Sequence, residues 1–163
     1  MLRASLQCGD PVVYMGHKTL WGAEGPVDES VTIPLGQAAV RRAGSDITIV
    51  SWSKQALVCA AACDTLAAQG IQAELIDLRT ILPWDRDTVL ASAAKTGRLL
   101  VVHEAIQAAG FGAAIAATAA EATGCTISRR GAPRIPVGYA PVLEAQSRVT
   151  ADAIVARVQQ LLA

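Results

Sequence analysis

The adjacent pair His103 and Glu104 is the first place where titratable side chains could do chemistry. The pair follows the apolar run Arg98 to Val102, which is typical of a strand buried on both faces. In open α/β sheets, ligands meet the fold beyond the carboxyl ends of the strands, where a His could act as a general base. Neighbours on a strand point to opposite faces, so the pair is not expected to act on one substrate. A structural role for His103 at a sheet edge or interface is therefore favoured.

Asp77 and Arg79 close a second apolar run, Gln72 to Leu78, and are expected in the same crevice. They could pair with each other or cap backbone groups there. Polar side chains are expected at strand ends whatever the function, so a structural interpretation is again favoured.

Gly110, Phe111 and Gly112 open an Ala-rich run that predicts a helix. They lack the full dinucleotide-binding spacing, because Ile115 stands where the third glycine should be. The Walker motif, the Gly-x-Ser-x-Gly elbow and the His-x-x-x-His pair are also absent from the sequence. Phosphoryl transfer, serine hydrolysis and zinc chemistry therefore lack their usual signatures.

Cys59 and Cys63 lie four residues apart in a helical run, so they share a face and could form a redox pair. The favoured interpretation is two small buried hydrophobes in a reducing compartment. With Cys8 and Cys125, the four cysteines show no spacing of metal ligands. We therefore assign no metal-binding residue.

Strand-like and helix-like segments alternate along most of the chain, and this order predicts where the candidate residues lie. The alternation indicates an α/β fold of three layers, with a mostly parallel sheet and helices on both faces. Predicted strands are Asp46 to Ser53, Gln72 to Leu78, the run after Gly97, and Cys125 to Arg129; predicted helices are Lys54 to Gln69, a helix capped by Asp85 that ends near Lys95, Gly110 to Thr123, and a helix capped by Thr150 that ends at Leu162.

Three regions are expected along the chain. Residues 1–15 suggest a remnant of an upstream domain, with a helix end and a strand at 10–15. Residues 16–43 are rich in Gly and Pro and suggest an extended interdomain connector. Residues 44–163 form the α/β domain. Because Val12 to Met15 would normally pair inside a sheet that is missing, we expect this stretch to be disordered or to pair with another chain.

Composition limits the classes of partner. The 163-residue chain carries 14 basic and 14 acidic side chains, so it has no net field to attract nucleic acid or an anionic membrane. No apolar run approaches the length of about 20 residues that spans a bilayer, and the first residues lack the apolar core of a signal peptide. We therefore expect a cytoplasmic protein with no nucleic-acid or membrane partner.

Six separated motifs, in order, resemble the beta subunit of thiamine-diphosphate-dependent 2-oxo acid dehydrogenases. The branched-chain (2-oxoisovalerate) type is most similar and the pyruvate type is next. The resemblance covers essentially the whole chain, with the transketolase C-terminal domain from about residue 44. The motifs are Thr32 to Gly36, Gly44 to Asp46, Ile76 to Asp85, Lys95 to Arg98, His103 to Ala105, and Gly110 to Gly112.

The resemblance implies a chain that is inactive alone. In that family, the beta subunit begins with a pyrimidine-binding domain whose glutamate activates the cofactor, and a separate alpha subunit holds the diphosphate. Thiamine diphosphate and Mg are thus implied for the complete parent enzyme, and no catalytic or cofactor-binding residue carries over to this chain. The family's structural potassium site lies near the segment matching Ser5, Cys8 and Asp10, but Cys8 stands where the family commonly has Asp.

The implied role is structural. The resemblance suggests a homodimer whose partners are the alpha subunit and the acyltransferase core, with interface or crevice candidates at Asp77, Arg79, His103, Glu104, Gly110, Phe111 and Gly112. Two alternatives stay open. One is a stand-alone α/β module that binds a small ligand in the crevice near Asp77, His103 and Gly110. The other is a thiol redox enzyme that uses Cys59 and Cys63.

Overall fold

The computed structural model describes all residues, 1–163. The strands are β1 (Ala39–Arg42), β2 (Ile47–Ser51), β3 (Ala73–Asp77), β4 (Arg98–Ile106) and β5 (Thr126–Ala132). The helices are α1 (Leu2–Gln7), α2 (Ser53–Ala68), α3 (Arg86–Thr96), α4 (Gly112–Thr123), α5 (Pro141–Glu144) and α6 (Ala151–Leu162), with single 3₁₀ turns at Lys18–Leu20 and Ala145–Ser147. None of the helices combines the length and apolar character needed to cross a bilayer.

The five strands form one sheet in the order β1-β3-β2-β4-β5. Strands β2 to β5 are parallel to their neighbours, and only β1 is antiparallel, at one edge. Helices α2 and α6 pack on one face, and α3 and α4 pack on the other. The predicted mostly parallel α/β fold with helices on both faces is confirmed.

The strands are apolar on both faces because each face of the sheet is covered by helices. In β4, Leu100 and Val102 pack toward α2 and α6, whereas Leu99 and Val101 pack toward α3 and α4. All four side chains are fully buried. This alternation explains why the sequence shows a continuous apolar run instead of a period of two.

Strand β1 is not predicted from the sequence, because it lies in the stretch interpreted as an extended connector. It pairs with β3 across a register shift between Val40 and Arg42. The strand has only four residues, and two of them are arginines. Short, charged strands are typical of sheet edges, where one side of the ladder stays open, and they leave little apolar signal.

The predicted strand at 10–15 is wrong. These residues have no regular secondary structure, and the side chains of Val13 and Met15 are 84% and 82% exposed. Without a partner strand, the backbone groups of an isolated strand have nothing to pair with. Two smaller differences lie later in the chain, where β5 extends to Ala132 and α5 forms within the Pro- and Gly-rich passage.

Asp85 caps α3 as predicted and also accepts a hydrogen bond from the segment before β1. One carboxylate oxygen accepts the backbone N–H of Thr88 at 3.1 Å, and the other accepts that of Ala38 at 2.9 Å. Burial raises the pKa of Asp85, but these hydrogen bonds outweigh it and hold the pKa below its ordinary value.

The substitution Asp85→Ala is expected to lower the free energy of unfolding by about 1 to 2 kcal/mol, because it removes a cap and leaves two N–H groups unpaired. Urea unfolding monitored by circular dichroism measures the loss. Asp87→Ala is the matched control, since Asp87 lies exposed in the same helical turn. Equal losses for the two variants would contradict the capping role.

Candidate functional site

His103 and Glu104 lie near the carboxyl end of β4 and point to opposite sides of the strand. His103 is buried, at 1% exposure, whereas Glu104 is exposed. The two side chains therefore cannot meet one substrate. His103 also cannot contact a partner molecule directly, because the chain itself covers it.

The surroundings of the His103 ring favour the neutral imidazole over the charged one. Its Nδ1 lies 3.0 Å from the carbonyl oxygen of Ala105, so Nδ1 carries the proton and donates it to that oxygen. The Nε2 atom is buried without a hydrogen-bond partner. Burial is the main cause that lowers the pKa of His103, because the charged ring would lose its hydration.

Three glycines surround the His103 ring. A Cβ atom would lie 2.4 Å from the ring Cδ2 at Gly112, 2.8 Å from Cε1 at Gly131, and 3.3 Å from Cε1 at Gly110. Such distances leave no room for a side chain at Gly112 or Gly131. The Gly110 to Gly112 motif therefore serves the close approach of the backbone to an imidazole ring.

Aromatic side chains complete the surroundings of His103. Trp52, which follows β2, stacks on the ring with centroids 5.6 Å apart and an interplanar angle of 21°. Phe111 makes edge contacts with Trp52 at 6.1 Å and with Trp84 at 5.9 Å. We call Trp52, Trp84, His103 and Phe111 the aromatic cluster. Its members follow β2, precede α3, lie in β4 and precede α4, so they come from segments that are distant in sequence and give no local signal.

Asp77 and Arg79 do not pair through their side chains. Asp77 accepts the backbone N–H of Arg79 at 3.1 Å, so it caps the turn in which Arg79 has a positive φ of 61°. Its second oxygen accepts Nε and Nη2 of Arg41 at 3.2 and 2.9 Å. Arg41 belongs to β1. Because the sequence does not predict that strand, it does not predict this partner of Asp77 either.

The segment before β1 lies against the carboxyl ends of the same parallel strands. Nε2 of His17 is 3.1 Å from a carboxylate oxygen of Glu104. The backbone N–H of Gly36 donates to the hydroxyl of Thr80 at 3.0 Å. Together with the Arg41 contact, these bonds engage the polar groups of the crevice with the chain's own residues, which argues against a small ligand bound near Asp77 and His103.

The two helical cysteines are buried and not disulfide-bonded. Burial is the main cause that raises the pKa of Cys59 to about 12 and that of Cys63 to about 11. Thiols with such pKa values stay protonated near neutral pH and are poor nucleophiles. These surroundings favour the structural role of the pair over thiol redox chemistry.

The segment that matches the family's potassium site does not fit that ion. The Sγ atom of Cys8 lies 3.3 Å from the carbonyl oxygen of Ser5 and 3.6 Å from that of Asp10, so its single thiol proton can be donated to either oxygen. Potassium, a hard cation, prefers oxygen ligands, and these oxygens already face a sulfur. We assign no role to the ion here.

Residues 36–154 match the family model described as transketolase, C-terminal domain. The chain is 45% identical over 123 residues to subunit beta 2 of the mitochondrial 2-oxoisovalerate dehydrogenase of Arabidopsis thaliana; the match covers 74% of this chain and 34% of that protein. It is 36% identical over 167 residues to the beta subunit of acetoin:2,6-dichlorophenolindophenol oxidoreductase of Bacillus subtilis, covering 99% of this chain and 49% of that protein.

The fold of this chain is also similar to that of a solved transketolase structure. The chain is 26% identical to the protein of an inactive beta4 tetramer of a split-gene transketolase, with a TM-score of 0.77 over 86% of this chain and 47% of that one. The chain thus spans about half, or less, of the length of these relatives. Its relatives also include beta subunits of pyruvate dehydrogenase E1 components. The chain therefore belongs to the transketolase C-terminal domain family, and its relatives include the beta subunits of 2-oxoisovalerate and pyruvate dehydrogenases.

Proposed function

We propose that this chain is the C-terminal assembly domain of the beta subunit of a 2-oxo acid dehydrogenase decarboxylating component. It supports dimerisation of that subunit and its docking to the acyltransferase core, and it is catalytically incomplete alone. The observation that carries the proposal is the 45% identity to a 2-oxoisovalerate dehydrogenase beta subunit over 123 residues. The proposal also divides the chain into a remnant of an upstream domain at 1–15, a connector at 16–43 and a domain from residue 44.

In this proposal, other parts of the parent enzyme carry out the catalytic chemistry. An upstream domain and an alpha subunit hold thiamine diphosphate and Mg, which supply the decarboxylation chemistry when bound. In this chain, the polar side chains at the carboxyl edge of the sheet bond to the chain's own groups: Asp77 to Arg41, Glu104 to His17, and His103 to Ala105. These bonds hold segments of the chain in position. His103 positions helix α4, which packs on its ring.

Helix α4 is the surface that His103 positions. Its first residue, Gly112, packs on the ring, and Ile115 and Ala119 are buried against the sheet. The opposite side exposes Ala114 and Ala117. Small side chains bury area only when another backbone comes near, so this exposed face suits a second copy of the chain. The beta4 assembly of the split-gene transketolase supports self-association.

The cytoplasm is the proposed compartment. All four cysteines are free, including the exposed Cys8. This state is typical of a reducing environment.

Light scattering tests the proposed assembly. We expect the wild-type chain to have at least twice the mass of the 16.9 kDa protomer. Ala117→Arg is expected to shift the chain toward the monomer without lowering its unfolding temperature, because the new side chain has room in solvent but not between two helices. Ala61→Arg is the matched control, since Ala61 is an exposed alanine on α2.

Three outcomes would contradict the proposal. The first is a wild-type chain that stays monomeric at every concentration, and the second is equal behaviour of Ala117→Arg and Ala61→Arg. The third is binding of thiamine diphosphate with Mg by the chain alone in a calorimetric titration, since the proposal assigns that cofactor to other domains.

A further inference from the structure

A hydroxyl, an imidazole and a carboxylate are hydrogen-bonded in series at the carboxyl end of β4. Thr19 Oγ1 lies 2.8 Å from Nδ1 of His17, and Nε2 of His17 lies 3.1 Å from a carboxylate oxygen of Glu104. We call these three side chains the Thr-His-Glu triad. Thr19 and His17 belong to the segment before β1, whereas Glu104 belongs to β4, so only the folded chain brings the three together.

The hydrogen bonds decide which ring nitrogen of His17 carries the proton. The backbone N–H of Thr19 donates to Nδ1 at 3.2 Å. A backbone N–H can only donate, so Nδ1 presents its lone pair there and Nε2 carries the ring proton toward Glu104. The carboxylate thereby orients the ring, and Nδ1 is placed to accept the hydroxyl proton of Thr19.

Capping of the 3₁₀ turn at Lys18–Leu20 explains only part of this arrangement. The cap needs the bond from the backbone N–H of Thr19 to His17, but it needs neither the hydroxyl contact nor the bond to Glu104. Thr19 is exposed, and the side chains of His17 and Glu104 are 27% and 40% exposed. A small substrate can therefore reach the triad, unlike the buried ring of His103.

We propose that the Thr-His-Glu triad is an acyl-transfer site that hydrolyses activated acyl esters of the thioester class. A hydroxyl within hydrogen-bond reach of a base, which a third group orients, is the arrangement that activates nucleophiles in covalent catalysis. Thr19 and His17 are the catalytic residues, and Glu104 is a positioning residue. A site open to solvent stabilises an oxyanion less than a buried one, so the substrate needs a good leaving group such as a thiolate.

The reaction balances with water as the co-reactant. Thr19 Oγ1 attacks the acyl carbon, and its proton moves to His17 Nδ1. The bond between the acyl carbon and sulfur breaks, the acyl group stays on Thr19 as an ester, and the leaving thiolate takes the proton from Nδ1. Water then attacks this ester and gives a proton to Nδ1. That proton passes to Thr19 Oγ1 as the carboxylic acid is released.

Hydrolysis of the thioester of acetate with p-nitrothiophenol by the full chain tests the proposal, because the absorbance of the released thiolate reports the rate. We expect Thr19→Val, which removes the hydroxyl but keeps the shape, to lower kcat about a hundredfold, the lower end of what a positioned base supplies. Thr19→Ser should retain the activity. Thr32→Val is the matched control, since Thr32 is an exposed threonine of the same segment.

Two further variants separate the roles of the base and the carboxylate. His17→Ala should lose as much activity as Thr19→Val, and added imidazole should restore part of it, because free imidazole can replace the missing base. Glu104→Gln should lower kcat about tenfold and leave KM unchanged, since the carboxylate acts on the ring and not on the substrate.

Peptide mapping after a brief reaction should find the acetyl group on Thr19. Equal rates for Thr19→Val and the wild-type chain, an unchanged rate in His17→Ala, or acetyl groups on lysines alone would overturn the proposal. None of these results bears on the assembly role, because that role rests on α4 and is tested by light scattering.

Discussion

Gly112→Ala is expected to lower the free energy of unfolding by about 3 kcal/mol, the upper end of what overpacking costs. The added Cβ would lie 2.4 Å from Cδ2 and 2.5 Å from Nε2 of His103. The ring has no free direction in which to move, because Trp52 stacks on it and Gly131 lies close to its Cε1 atom. Alanine improves helix propensity by only about 1 kcal/mol, so the steric clash dominates. Chemical denaturation in urea measures the loss.

A double-mutant cycle separates the clash from other effects of the substitution. In a His103→Ala background the ring is gone, so adding Gly112→Ala should cost little. The matched control for the wild-type background is Gly22→Ala, because a Cβ at Gly22 meets nothing within 4 Å and its φ is not positive. If Gly112→Ala costs the same with and without the His103 ring, the proposed contact is not what makes glycine necessary.

Glu74 is expected to contribute the other large effect on stability. Glu74 lies on β3, which pairs with the central strand β2, and it is almost fully buried. It accepts hydrogen bonds from Ser92 Oγ at 2.5 Å, from Lys95 Nζ at 2.5 Å and from the backbone N–H of Gly44 at 3.3 Å. Because Lys95 is half exposed, we expect Glu74→Gln to cost about 2 kcal/mol at neutral pH, less than a fully buried pair.

The contribution of Glu74 should depend on pH. Burial raises the pKa of Glu74, but the bonds from Lys95, Ser92 and Gly44 outweigh it, so the folded-state pKa lies below the ordinary value of 4.5. A lowered pKa gives stability that is present above pH 4.5 and is lost as the pH falls through the folded-state value.

Unfolding free energies measured from neutral to acidic pH check this prediction. The difference between wild type and Glu74→Gln should be constant at neutral pH and shrink below about pH 4.5. Glu121→Gln is the control, since Glu121 is exposed on α4 and should change stability by less than about 0.5 kcal/mol. A difference that stays the same across the acid range would show that the charge of Glu74 contributes nothing.

The sequence by itself determined the α/β alternation, the caps of two helices and the family. Asp85 and Thr150 accept the N–H groups of Thr88 and Ala153, three residues further on, so each cap is a local pattern that the sequence contains in full. The strands β2 to β4 follow from apolar runs of the length and composition typical of buried strands. The motifs that resemble the family also lie in the chain in order, whatever the tertiary contacts.

Only the tertiary structure decided what the site residues do. Asp77 was expected to pair with or cap near Arg79, and it does cap that turn, but its charged partner is Arg41, 36 residues earlier on a strand too short and too polar to predict. The glycines at 110 and 112 were predicted to open a helix and were candidates for an interface or crevice, and the structure shows that they make room for the His103 ring. These roles depend on contacts between segments that are distant in sequence, and such contacts leave no periodic pattern in the chain because only the packing of the sheet and its helices brings them together.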